Sequence, residues 1–395
     1  AELDALKQDL ELKAHLSRQR PLLTALRQHQ HGVGVALAVL VVLTLTWFFF
    51  IRRTPPRLTD KDTVLLADFV NSTGDTVFDG ALKHALAVQL EQSPYLSLFP
   101  EQQARQTLRL MNRKPTDPLS GETAREVCQR NGIKALLGGA IAPIGSHFVI
   151  TLEVVNAATG EVIARQLAEA DSKEQVLKML GQAATELRAK LGESLGSIQK
   201  HDKPLEQVTT SSLAALKAYS QGSEQRLNGK EPASIPFYQR ALELDPHFAR
   251  AYADLSTAYF NLDSYEQAEQ FSARAWDLRG HVSERENFYI SQQYYRVVLG
   301  EMEKTIEALE MWKRSYPRDY LPLSLLSSSY DAIGQFEKSL EETKNLGDWE
   351  QIIKSYQGLA AVALLQKDFV AAQKYNEESL TLSRQAIDER LTAYS

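Results

Sequence analysis

Residues 249–278 read ARAYADLSTAYFNLDSYEQAEQFSARAWDL, and their spacing decides the architecture of the C-terminal half of the chain. Tyr252, Leu255, Ser256 and Tyr259 line one face of a first helix. Ala268 is the small residue at which a second helix begins to pack, and Ala275 sits at the close crossing of that second helix. The beat recurs at Ser234, Ala268, Thr305, Ser339 and Ala372, at spacings of 34, 37, 34 and 33 residues. Leu323, Leu326, Ser327 and Tyr330 repeat the first-helix pattern, Ala241 repeats the crossing, and Pro246 and Pro317 end their units. Gly334-Gln335-Phe336-Glu337 reads as the turn between paired helices. Small residues are required at these positions because stacked hairpins bring their backbones close, each burying its apolar face on the next. The three extra residues of the third unit predict a longer loop near Arg279 to Glu286, and Trp312 stands where the pattern expects alanine.

A period near 34 residues is that of the tetratricopeptide repeat, so 213–395 is predicted to form an all-α solenoid of about five hairpins. Such an array presents a concave surface of first-helix side chains that suits an extended peptide or a partner helix. Tyr219, Tyr252, Tyr259, Tyr289 and Tyr356 are the candidate groove residues, because aromatic side chains favour interface cores. Packing within the hairpins explains the same tyrosines equally simply.

Upstream, residues 62–196 alternate strand and helix signals. Val64 to Phe69 and Tyr95 to Phe99 read as strands, with Phe78, Leu82, Leu86 and Leu90 as a helical stripe between them. Glu101 to Leu110 and Glu122 to Arg130 read as amphipathic helices. Lys134 to Ile141, His147 to Val155 and Glu161 to Ala168 read as strands joined by Gly145-Ser146 and by residues 156–160. Val176, Leu180, Ala183, Leu187 and Leu191 mark a closing helix. The order predicts a small α+β domain, followed by a polar linker over 197–212. Gly138-Gly139 lie inside a strand rather than at a strand-to-helix turn, which does not support a phosphate loop. Asp68 and Asp75 read as turn formers rather than cation ligands, and His84 as a core-edge histidine. The phrases VLLADFVNSTGD, FDGALKHALAVQL, IKALLGGAI and VITLEVVNAATGEVI together resemble the TolB-type amino-terminal domain, a resemblance that implies assembly and sensing rather than chemistry.

Residues 32–51, GVGVALAVLVVLTLTWFFFI, contain no charge. A helix of that length spans about 30 Å, the thickness of a bilayer core, so a transmembrane helix is expected there. Residues 1–31 then form a juxtamembrane helix or tail of a missing N-terminal domain, and residues 52–61, with Pro55 and Pro56, form a stalk. The fold expected for the whole chain is a transmembrane helix, then the small α+β domain, then the solenoid. Basic residues on the two sides balance, four (Lys13, Arg18, Arg20, Arg27) against four (Arg52, Arg53, Arg57, Lys61), so they do not set the orientation.

The net charge of −6 conceals an uneven distribution. Through Lys61 there are 9 basic and 5 acidic side chains, leaving 35 basic against 45 acidic beyond it. An acidic body argues against nucleic acid as partner, and the single cysteine, Cys128, excludes an intrachain disulfide. Most of the chain resembles the C-terminal half of acidobacterial-type transmembrane serine/threonine protein kinases, through VFDGALKHALAVQLEQSPYL, AREVCQRNGIKALLGG, KLGESLGSIQKHDKPLE, SERENFYI and YPRDYLP. That resemblance implies a single-pass inner-membrane protein whose C-terminal region is periplasmic and holds a protein or peptide. Glycine-rich loop, V-A-I-K, H-R-D and D-F-G motifs are all missing. No catalytic, cofactor or metal residue is therefore assigned, and ATP and Mg enter only with a kinase domain upstream. A tethered scaffold without an enzyme, and the sensor part of a membrane-bound transcription regulator or cyclase, are the alternatives. Charge reversal at exposed first-helix positions of the repeats is expected to weaken partner capture while leaving the helical circular dichroism intact; an unchanged pull-down profile would count against a groove.

Overall fold

The computed structural model describes residue 40, residues 62–344 and residues 349–392. From Asp62 the chain folds as β1 (Thr63–Leu66), β2 (Val70–Asn71), α1 (Ala81–Glu91), β3 (Ser97–Leu98), α2 (Glu101–Leu110) and α3 (Gly121–Arg130). It continues through β4 (Ala135–Ile144), β5 (His147–Asn156), β6 (Val162–Ala170) and α4 (Val176–Leu191). The strands form one mixed sheet in the order β3-β1-β4-β5-β6, with β2 beside β4. β1 is parallel to both β3 and β4, whereas β4, β5 and β6 form antiparallel hairpins. β1 and β2 run along β4 as one interrupted strand; Ala67 N–H still reaches the Leu137 carbonyl at 2.8 Å, while Asp68 turns aside and its N–H bonds to the Leu119 carbonyl.

Periodicity explains the layers. On β5, Ile150, Leu152 and Val154 alternate inward against α1 and α4. Leu65 and Leu136 face the opposite side, where α2 and α3 cover them with Leu108, Val127 and Cys128. Burial pushes the Cys128 thiol up to about 12, so this side chain packs and does not react. The Gly138-Gly139 pair lies within β4, and a Cβ at Gly139 would fall 2.1 Å from the Phe69 ring. The glycine is there to let that ring lie on the strand.

Residues 197–212, expected as a polar linker, fold back onto the domain as α5 (Leu195–His201) and α6 (Leu205–Val208). The reason is a buried charge. Arg188, fully buried on α4, binds Glu193 through Nε and Nη2 at 2.8 and 3.0 Å and Asp202 through Nη1 at 2.5 Å. Gln89 and Thr185 donate to the same Asp202 carboxylate, and Ser93 and Ser197 donate to Glu193. An ion group this deep is tolerated because every acceptor is used.

Five hairpins follow among the described residues: α7 (Leu213–Leu227) with α8 (Glu231–Leu244), α9 (Ala249–Asn261) with α10 (Tyr265–Leu278), and α11 (Glu284–Val297) with α12 (Met302–Ser315). Then come α13 (Tyr320–Ala332) with α14 (Phe336–Lys344), and α15 (Trp349–Leu365) with α16 (Phe369–Thr392). Ser234, Ala268, Thr305, Ser339 and Ala372 are all buried at the crossings. At Gly222, a Cβ would meet the Tyr238 ring at 2.7 Å, which shows how close the first pair runs. Trp312 is accommodated fully buried, with its indole N–H donating to Asp319 at 2.9 Å.

The expected fold is corrected in one respect. Among the described residues no helix is long and apolar enough to cross a membrane. α15, with 17 residues, is too short, and α16, with 24, carries charges including Lys374, Glu377, Glu378 and Arg384. The run 32–51 expected to span a bilayer lies outside the described residues apart from the exposed, helical Leu40, as do residues 1–31 and the stalk 52–61. The architecture found is a mixed α/β domain followed by helical repeats, with no membrane-crossing helix among the described residues. The single-pass inner-membrane localisation, which rested on that helix, is not supported by the described helices.

Arg188→Met is expected to cost about 3–5 kcal/mol, because it leaves Glu193 and Asp202 with no counter-charge. A lower urea midpoint for the transition that includes the α/β domain checks this.

Candidate peptide-binding cleft

α1 of the α/β domain packs against α7, the first helix of the repeats. Leu82, Leu86 and Leu90 belong to the same apolar core as Leu216, Tyr219, Phe248 and Leu255. The His84 ring tilts against Tyr219 at 4.6 Å, and Lys217 of α7 donates to Thr76 at 2.9 Å. Burial, with the charge of Arg250 beside it, pushes His84 down to about 4, so it is neutral at physiological pH.

Two buried charge clusters sit where α1 meets the array. In the first, Asp254 of α9 accepts from Tyr289 at 2.9 Å, from Arg250 at 3.0 Å, from Arg226 at 3.3 Å and from the Tyr219 hydroxyl. Burial opposes its charge, but Arg250 and Arg226 hold Asp254 down to about 2. Arg250 also lies 4.0 Å over the Tyr289 ring. In the second, Arg285 of α11 binds Asp319 at 2.6 and 3.1 Å and Glu91 of α1 at 2.8 Å. One step away Arg318 donates to the carbonyls of Tyr95 and Asp62 at 3.1 and 2.9 Å. These bonds fix the domain at a set distance from the array.

That stand-off leaves a cavity of about 650 Å³ between the two, within the range of ligand sites. One wall is the β3–α2 edge, with Leu98, Phe99, Glu101 and Arg105; the other is the end of α7 with Gln221, Glu224 and Leu227, and the start of α13 with Tyr320 and Leu321. Lys83 rises from α1 to Asp68 at 2.6 Å and Glu101 at 3.1 Å. Two buried polar atoms among the residues lining the cavity, His84 Nε2 and Arg105 Nε, have no partner among the described residues.

None of the five groove tyrosines borders this cavity. Tyr219 and Tyr289 converge on Asp254 and are buried. Tyr252 and Tyr259 pack on Phe271 of their own hairpin, with ring centroids 6.3 and 5.5 Å apart, and Tyr356 packs on Tyr375. Asp75 caps the turn at Val77 and pairs with Lys173 at 2.6 Å, while Asp68 accepts from Leu119 N–H at 2.7 Å. Both aspartates are thus committed, and no group of three metal-ligating side chains occurs among the described residues. Asp254, Arg285 and Arg318 escaped sequence reasoning. The one available signal was a charge inside an apolar helical stripe, as in Tyr252-Ala253-Asp254-Leu255.

Residues 237–270 match the tetratricopeptide repeat family. The match runs from Phe237 in α8 through α9 into α10, so the array contains a repeat of this type. No curated protein matches the sequence. Solved structures similar to parts of the chain include MamA 41-end from Desulfovibrio magneticus RS-1, at 18% identity over 43% of this chain and 96% of that one, TM-score 0.31. The LpoB C-terminal domain from Salmonella enterica is 16% identical over 31% of this chain and 90% of that one, TM-score 0.28. YrrB, a TPR protein with an unusual peptide-binding site, is 15% identical over 46% of this chain and 91% of that one, TM-score 0.29.

Glu286, beside the buried charge clusters rather than in the cavity, carries a pH signature. It is buried, its Oε2 has no partner among the described residues, and burial, against the pull of Arg250 and Arg285, pushes it from 4.5 up to about 7. The folded state therefore keeps a proton that the unfolded chain releases, and stability falls as pH rises from about 4.5 to 7 and levels above that. Glu286→Gln is expected to remove this decline and to raise Tm at pH 7.5 more than at pH 5. Equal shifts at both pH values would contradict it.

Proposed function

We propose that the chain is a protein–protein interaction scaffold that holds an extended peptide segment in the cleft between the α/β domain and the repeats. The cleft itself carries this reading: a cavity of about 650 Å³ lined by apolar side chains such as Leu98, Phe99, Leu227 and Leu321 together with charged and polar ones, with two buried polar atoms unpartnered among the described residues, held open by Arg285 and Arg318. The apolar side chains supply affinity and the polar groups supply orientation, the usual division of labour in ligand sites. The tetratricopeptide match supports the same class of function, since stacked hairpins are built to present a concave surface. Most of the catalytic-type side chains near the cleft are already engaged: Lys83 by two carboxylates, Arg285 by Asp319 and Glu91. That arrangement suits recognition rather than turnover. A connection to a protein kinase rests on the sequence resemblance, and reading the gene upstream of Ala1 for H-R-D and D-F-G tests it.

Leu227→Arg places a charge on the cleft wall at a half-buried position outside the main cores. Peptides selected from a random display library on the wild-type chain are expected to bind this variant about tenfold more weakly, the cost of putting a charge where an apolar side chain docks. Unchanged affinity would move the site elsewhere.

A further inference from the structure

β3 is the outermost strand of the sheet, and its free side borders the cleft. Phe99 N–H donates to the Val64 carbonyl at 2.9 Å, while Val64 stands opposite Leu98 in the parallel ladder. Along a strand, successive residues turn their backbone groups to opposite sides. The N–H and C=O of Leu98 therefore point away from β1, and neither meets a partner among the described residues. An unpaired strand edge is a template for another chain, and this one is half-buried at Leu98 rather than open to bulk water.

The array does not cover the edge; it braces its start. Arg318 bonds to the carbonyls of Tyr95 and Asp62, and Ser97 Oγ donates to the Arg318 carbonyl at 3.3 Å. Beyond this brace, the cations Lys83 and Arg285 are paired within the fold. On the facing wall, the exposed side chains of Gln221 and Glu224 have no partner among the described residues. Counted over the whole lining, the seven carboxylates Asp68, Asp79, Glu91, Glu101, Asp117, Glu224 and Asp319 outnumber the five cations Lys83, Arg105, Lys217, Arg285 and Arg318, so the cleft is net negative.

We propose that the cleft takes an extended peptide that adds as a strand to the free edge of β3, pairing with the Leu98 backbone and presenting a lysine or arginine to Glu224. This rests on the reading of the cleft as a peptide site and specifies its mode. Backbone pairing supplies affinity with little demand on sequence, and alternate side chains meet Phe99, Leu227 and Leu321.

Leu98→Pro is the discriminating variant. Proline removes only an N–H that faces away from β1, and an edge strand tolerates it there, while Leu98→Ala keeps the N–H and loses the side chain. The probe is a pool of capped heptapeptides alternating Val or Tyr with Lys or Arg, read by fluorescence anisotropy. Leu98→Ala is expected to bind within about threefold of wild type, Leu98→Pro about tenfold more weakly than Leu98→Ala, and N-methylation of the central residue to cost a similar factor. Equal binding by the proline and alanine variants overturns strand addition, as does a pool that fails to bind the wild type. If Leu227→Arg weakens binding while the two Leu98 variants bind alike, the cleft stands and only the strand mode falls.

Discussion

α1 serves two cores at once. Its stripe of Leu82, Leu86 and Leu90 packs under the sheet, and the same cluster runs on through Leu216, Tyr219 and Phe248 into the first two hairpins. Burial of apolar area on this scale is the dominant favourable term in folding. Because the stripe cannot leave one side without exposing the other, the α/β domain and the first repeats behave as one body. The positions of α5, α6 and the later hairpins follow from that shared helix.

Charge decides the geometry that the apolar core leaves open. Oil-like contact has no preferred direction, whereas Arg188, Asp254 and Arg285 each lose several kcal/mol of desolvation unless their partners stand in one arrangement. Arg188 fixes the return of the connector, Asp254 draws α7, α9 and α11 to one point, and Arg285 ties α11 and the start of α13 to Glu91. Their contribution is to specificity of arrangement more than to net stability. The cleft is a by-product of these ties: Arg285 and Arg318 set a stand-off that side-chain packing would otherwise close.

Tertiary burial also redefines ordinary residues. Glu286 is an unremarkable helix residue in the sequence, yet burial beside Glu91 and two arginines makes it a carboxyl that titrates near neutrality. His84 moves the other way for the same reason, since burial penalises whichever form is charged. Tyr219 and Tyr289, candidate groove residues that packing explained equally well, are buried and donate to Asp254.

The repeat register was legible because it is local and periodic: Ser234, Ala268, Thr305, Ser339 and Ala372 all land at buried crossings. The strands β4 to β6 and helices α1 to α4 were legible for the same reason, their apolar residues recurring at strand or helix period. The expectation of a membrane helix came from local hydrophobicity over 32–51, and none of the described helices has that character. Which tyrosines face a ligand was not readable, since a ring packed in a hairpin and a ring lining a groove obey the same spacing. Nor was the folding-back of 197–212, whose polar residues look solvated until Arg188, 14 residues before Asp202 and buried on α4, claims that carboxylate. Sequence by itself determined the elements and their repeat, because propensity and periodicity act over a few residues. Only the tertiary structure decided where the cleft lies, because pairing of buried charges acts between residues far apart in the chain.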